Sequence, residues 1–142
     1  MLYNWFAAVG ACPDGWHLPS DSEWKQLEMH FGMSQTEADT LGLRGTNEGS
    51  KLAGNSIFWA NGDLENNPAF GSSGFTALPG GSLYQDGGSI FDEVGASGIW
   101  WSATENGTKN AWTLFINYKY SNSGRSGPFK VGGFSVRCIK DP

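Results

Sequence analysis

Two cysteines, two histidines and a scatter of carboxylates are the residues of this 142-residue chain that could carry covalent or acid–base chemistry. Cys12 stands in Cys12-Pro13-Asp14-Gly15-Trp16-His17-Leu18-Pro19, and Cys138 in Ser135-Val136-Arg137-Cys138-Ile139-Lys140-Asp141. Such cysteines serve as thiolate nucleophiles, as soft-metal ligands or as a disulfide, and no Cys/His spacing of a metal site accompanies them. The preferred reading is a Cys12–Cys138 bridge, with two free thiols as the alternative. It would join both ends of the domain and be worth about 4–5 kcal/mol by the chain-entropy argument, before strain is subtracted. His17, between Trp16 and Leu18-Pro19, reads as a packing residue, and His30 reads as a solvated residue ending a helix face. Two such imidazoles do not make a Ser/His/Asp set, so the expectation is a protein that is not an enzyme.

The oxygen-rich run Asn61-Gly62-Asp63-Leu64-Glu65-Asn66-Asn67 is the one weak candidate for Ca²⁺, a hard cation that needs several converging oxygens. A solvated acidic turn explains it better, and the expectation is no cofactor and no metal. Asp86, Asp92 and Glu93 read as surface charge. The segment Glu105 to Val131 is more suggestive, because it concentrates amide, tyrosine and cationic side chains of the kind that make adaptable contacts. Asn106, Lys109, Asn110, Asn117, Lys119, Tyr120, Asn122 and Arg125 are the candidate ligand-binding residues, the plain alternative being polar strand faces and turns.

Composition bounds what can hold these residues in place. With 142 residues the chain is a single domain, residues 1–142, large enough to bury roughly two-thirds of its unfolded surface. A net charge of −5 argues against nucleic acid or an anionic membrane surface as partner, since both are bound through Lys/Arg. There is no signal peptide and no 18-residue apolar run, so the domain itself is not expected to insert in a membrane. Met1 leads directly into Leu2–Val9, which suggests a piece of a longer exported chain whose signal or lipid anchor lies elsewhere. Seven tryptophans are expected to act as packing anchors.

Leu2 to Val9 reads as a first strand. Ser20-Asp21-Ser22-Glu23 is a capping box that opens a helix over about Asp21 to Phe31, burying Trp24, Leu27 and Phe31 and presenting Lys25, Glu28 and His30 to water. Ser34-Gln35-Thr36-Glu37 repeats the pattern for a second helix, to about Leu41. From Arg44 to Gly81 the chain reads as a long irregular excursion whose Leu52, Ile57, Phe58, Trp59, Phe70, Phe75 and Leu78 drop into the core. Gly74–Gly81 reads as a short strand and tight turn, Gly98–Thr104 as a buried strand, and Ala111–Ser121 as a two-faced strand turned by Asn122-Ser123-Gly124. Phe129–Val131 and Gly133–Ile139 complete an antiparallel arrangement. Two N-terminal helices, a long irregular loop region and a C-terminal antiparallel sheet make the fold class α+β.

Four ordered motifs carry a family resemblance: Cys12-Pro13 to Pro19 with Glu23-Trp24, then Gly74-Phe75-Thr76-Ala77-Leu78-Pro79-Gly80-Gly81, then Trp100-Trp101-Ser102-Ala103-Thr104-Glu105, and finally Ser135 to Asp141. Together they resemble the Fibrobacter succinogenes major paralogous domain over nearly the whole chain. The resemblance implies a C-type-lectin-like fold related to the formylglycine-generating enzyme architecture, in exported or lipid-anchored proteins of Bacteroidetes-type bacteria. It also implies that Cys12 and Cys138, at its motif positions, form a structural bridge, leaving no thiol for chemistry of the formylglycine-generating type. The calcium-binding Glu-Pro-Asn, Gln-Pro-Asp and Trp-Asn-Asp motifs of glycan-binding C-type lectins are absent.

The expected function is therefore an extracellular or cell-surface ligand-binding or adhesion module of a bacterial surface or phage protein, binding protein through the 105–131 surface. The alternatives are a calcium-independent glycan-binding module using Tyr84, Tyr118 or Tyr120, a variable receptor of a diversity-generating retroelement, and an enzyme of the formylglycine-generating type.

Overall fold

A computed structural model describes residues 1–85 and 89–142, so Asp86 lies outside the described residues. The chain is mixed α and β, with short helices gathered before residue 67 and most of the antiparallel sheet from residue 82 onward, two short strands lying among the helices. The predicted first strand is replaced by a one-turn helix α1, Trp5–Ala8, flanked by a single bridge from Tyr3 to Phe134. Asn4 decides this, because its side chain accepts from the Ala7 N–H at 2.9 Å and so caps a helix where apolar alternation alone suggests a strand.

A two-residue strand β1, Trp16–His17, precedes α2, Asp21–His30, and α3, Gln35–Ala38. Both helices begin with the expected capping box, on Ser20 and Ser34. Strand β2 is Gly42–Arg44. The predicted irregular excursion is more regular than expected, since it holds α4, Glu48–Leu52, a 3₁₀ turn, Ser56–Phe58, and α5, Asp63–Asn66. Leu52 and Trp59 are buried, and Phe70 and Phe75 pack against the same cluster. Ile57, Phe58 and Leu78 face solvent instead, Ile57 with 81% of its surface exposed. Gly74–Gly81 is not a strand and contributes only the bridges Ala53–Ala77 and Gly81–Gly98.

The hairpin β3, Ser82–Gln85, and β4, Ser89–Asp92, is followed by the main sheet. Its strands β5, Ser97–Glu105, β6, Ala111–Asn117, and β7, Ser123–Ser126, lie with β2 in the order β2-β7-β6-β5. The two-faced strand thus stops at Asn117, four residues before the expected end, and Ser123 and Gly124 belong to β7 rather than to a turn. Phe129–Val131 and Gly133–Ser135 make only isolated bridges, and β8, Ile139–Lys140, pairs with β1.

Strand β5 divides two cores. Neighbouring residues on a strand point to opposite faces, so Trp100 joins Trp24, Leu52, Trp59 and Leu114 while Trp101 joins Ala8, Leu18 and Phe134. The tryptophans also use their polar handles: the indole N–H groups of Trp5, Trp24, Trp59 and Trp101 donate to the carbonyls of Ser102, Trp101, Ala77 and Tyr3. Cys12 and Cys138 form a disulfide with Cα atoms 5.7 Å apart, which ties the two ends of the chain and suits an oxidising compartment. Among the described residues no helix is long and apolar enough to cross a membrane.

Candidate functional site

The eight residues picked out between Glu105 and Val131 do not converge. Asn106, Lys109 and Asn110 occupy the β5–β6 connection, whereas Asn117 ends seven-residue β6 and Lys119, Tyr120 and Asn122 occupy the β6–β7 connection beyond it. At about 3.3 Å per residue the two groups stand roughly 20 Å apart. Several of these side chains are engaged in holding the loops. Asn110 Nδ2 donates to the Gly127 carbonyl at 2.7 Å, and Asn117 donates to Ser97 Oγ at 2.8 Å while accepting from the Lys119 N–H.

Arg125 is a correction, because it is buried rather than presented to a ligand. Its Nε and Nη2 donate to the two carboxylate oxygens of Asp21, each at 2.8 Å, and its guanidinium lies 3.6 Å from the centre of the Trp112 ring. Glu28 is likewise fully buried, not solvated, and receives both Arg44 Nη groups at 2.9 and 2.6 Å. Asp21 and Glu28 are seven residues apart, two helical turns, and so nail one face of α2 to β7 and β2. Lys25 is half-buried between Asp21 and Asp39, and His30 is exposed as expected.

Helix α2 turns a second face toward a cleft of ≈500 Å³. It supplies Glu23, Trp24, Gln26 and Leu27 to the lining, which Pro19, Phe75 and Ile139 complete. The lining is mostly apolar, with Trp24 and Phe75 edge to face at 6.1 Å between ring centres. A cleft of this size with an apolar body and a few polar groups at its rim is the usual form of a ligand site. Arg137 lies against the lining residue Phe75, its guanidinium 4.4 Å from the Phe75 ring centre and its Nη2 donating to the Phe75 carbonyl at 3.0 Å.

Next to the lining residue Glu23, His17 bridges two carboxylates. Its Nδ1 lies 2.6 Å from Asp141 Oδ1, and its Nε2 lies 3.0 Å from Glu23 Oε1. His17 is therefore not the packing residue expected from its neighbours. The hydrogen bonds to Glu23 and then to Asp141 hold its proton above the ordinary histidine value. Burial pushes the Glu23 carboxyl up, but the Ser20 N–H, His17 and the Ser20 hydroxyl more than offset it, so Glu23 stays below its ordinary range. Pairing in β1–β8 sets His17 opposite Ile139, so His17 faces the cleft side of that small sheet while Trp16 turns away, opposite Lys140. The sequence signal was a lone histidine six residues before a capping-box glutamate. Nothing in the sequence placed Asp141 beside it.

Other candidates lie apart from this cleft. Asn61 donates to Glu65 at 3.3 Å within the α5 region, and among the described residues no group of three or more His, Cys, Asp or Glu side chains is placed to hold a metal. Asp92 and Glu93 are exposed, Tyr84 is half-exposed and edge-on to Phe134, and Tyr118 packs partly against the core. A smaller recess of ≈190 Å³ lies among Phe58, Leu78, Pro79 and Val94.

Comparison with protein families gives a match to the Fibrobacter succinogenes major domain over residues 1–140. Comparison with curated proteins and with solved structures gives no significant match.

Proposed function

We propose, the chain belonging to the Fibrobacter succinogenes major domain family, that it is a non-enzymatic, extracytoplasmic ligand-binding or adhesion module with a C-type-lectin-like arrangement of disulfide-joined termini, early helices and late sheet. The observation that carries this reading is the apolar cleft lined by α2, Phe75 and Ile139, with Arg137 stacked on the Phe75 ring beside it. The ligand it suits is a protein segment that places a large apolar side chain in the cleft and a carboxylate at Arg137. Only one Nη group of Arg137 is engaged among the described residues, and the flat guanidinium is suited to two-pronged carboxylate recognition. A glycan fits less well, because the lining offers few polar groups and the Glu23 carboxylate is already taken up by Ser20 and His17. With both cysteines in the bridge, no thiol remains to act as a nucleophile or copper ligand, which favours binding over chemistry of the formylglycine-generating type.

The test is an NMR titration of isotope-labelled protein with 2-naphthoate, which carries one apolar ring system and one carboxylate. Shifts at Trp24, Leu27, Phe75 and Ile139, weakened by Arg137→Ala, are expected. Shifts confined to residues elsewhere, or none at millimolar probe, would remove the cleft from the reading, and a glycan array with and without calcium then becomes the next measurement.

A further inference from the structure

A neutral imidazole has one N–H donor and one lone pair, whereas the imidazolium has two donors. His17 has a carboxylate oxygen on each ring nitrogen, at 2.6 and 3.0 Å. Whichever proton a neutral His17 kept, the other nitrogen would turn a lone pair toward a carboxylate. The bridge from Glu23 through His17 to Asp141 therefore exists only while both nitrogens are protonated. Its ends belong to different elements beside the cleft: Glu23 lines it from α2, and Asp141 comes two residues after Ile139, which lines it from β8.

We propose that His17 is a proton-operated latch on this cleft, holding the C-terminal end of β8 against the start of α2 when doubly protonated and releasing one of the two walls when it loses a proton. This rests on the cleft being the ligand site. The charged groups acting on His17 are Glu23 from α2 and Asp141 from the C-terminal tail. Of the other charges on the adjoining elements, Asp21 is directed to Arg125, Lys25 to Asp39, Arg137 over Phe75, and Lys140 lies opposite Trp16, while Asp14 is exposed in the turn before β1. The travel is bounded, because Cys138 is anchored by the disulfide and the Asp141 N–H still donates to the Gly15 carbonyl at 2.9 Å. What loosens is the seam between β8 and α2.

The direction in pH follows from linkage. The folded state holds this proton more tightly than the unfolded chain does. The closed latch is therefore whole below the ordinary histidine value and is lost as pH rises through the higher folded value. Release also leaves Glu23 at the mouth without its counter-charge, which disfavours an anionic ligand. Closure and affinity thus change in the same sense.

The experiment follows the His17 ring nitrogens by NMR from about pH 5 to about pH 9, a range that brackets ordinary histidine titration. Amide exchange of Ile139, Lys140 and Asp141, corrected for intrinsic rates, and 2-naphthoate affinity are measured over the same range. Expected are a single His17 midpoint above the ordinary value, faster exchange through that midpoint, and at least a several-fold loss of affinity. His17→Gln is expected to exchange fast at every pH and to abolish the step, while Asp141→Asn, which keeps an oxygen acceptor, is expected to lower the midpoint. An ordinary His17 midpoint, or exchange and affinity without a His17-linked step, overturns the latch. If 2-naphthoate does not bind at any pH, the cleft reading falls instead, and the exchange step alone decides whether the seam opens.

Discussion

Asp21 and Arg125 are 104 residues apart in sequence and meet in a two-pronged ion pair, both contacts at 2.8 Å. The pair sits at the first turn of α2, where an acidic side chain also favours the helix dipole. Arg125→Leu is expected to lower stability by about 2–4 kcal/mol, because it leaves a mostly buried carboxylate with only Lys25 at 3.2 Å. Chemical denaturation measures this, and a loss under about 0.5 kcal/mol would show that the pair is exposed in solution.

Acid should weaken the same contact. Burial pushes Asp21 up, but Arg125 and Lys25 more than offset it and leave it below the ordinary aspartate range. Its contribution is present above the unfolded value and is lost as pH falls through the lower folded one. Asp21→Asn is expected to flatten the acid limb of a stability–pH curve while costing stability at neutral pH.

Glu28 and Arg44 form the second nail, reinforced by the Ser123 hydroxyl at 2.6 Å from Glu28. Burial pushes the Glu28 carboxyl up, with Arg44 and Ser123 pulling against it. Arg44→Met alone is expected to cost about 3–5 kcal/mol, since a fully buried carboxylate loses its partner, whereas Glu28→Leu with Arg44→Met should recover most of that. A double-mutant cycle measures the coupling, and additive losses would contradict it.

Trp24 fills the larger core and donates its indole N–H to the Trp101 carbonyl at 3.2 Å. Trp24→Ala is expected to cost about 3–5 kcal/mol and to abolish 2-naphthoate binding, since the ring also lines the cleft. Thermal unfolding and the NMR titration check the two effects separately.

Cys138→Ser opens a bridge that spans 126 residues and is expected to lower stability by roughly 2–5 kcal/mol. An unchanged melting temperature would mean that the β1–β8 pairing alone holds the termini together.

Lys109→Ala and Lys119→Ala, at opposite ends of β6 and both exposed, are expected to change stability by less than about 0.5 kcal/mol each. Neither should alter 2-naphthoate affinity. A loss with either would reinstate the 105–131 surface as part of the site.

Features that depend on neighbours in the chain were legible in the residues alone. Ser20 and Ser34 with their glutamates three residues on start α2 and α3 because a capping box closes within four residues. The apolar runs Ile99-Trp100-Trp101 and Leu114-Phe115-Ile116 lie in the paired strands β5 and β6, and the family motifs placed the bridged cysteines. Tertiary structure decided what depends on partners far away. Glu28 and Arg125 look like surface charges until Arg44 and Asp21 are brought to them, and alternation in Leu2–Val9 lost to a cap on Asn4. The cleft and the latch are wholly of this second kind. His17 meets Glu23 and Asp141, and Arg137 meets Phe75, because the disulfide and the β1–β8 pairing bring the last residues beside α2, a juxtaposition that no local pattern encodes.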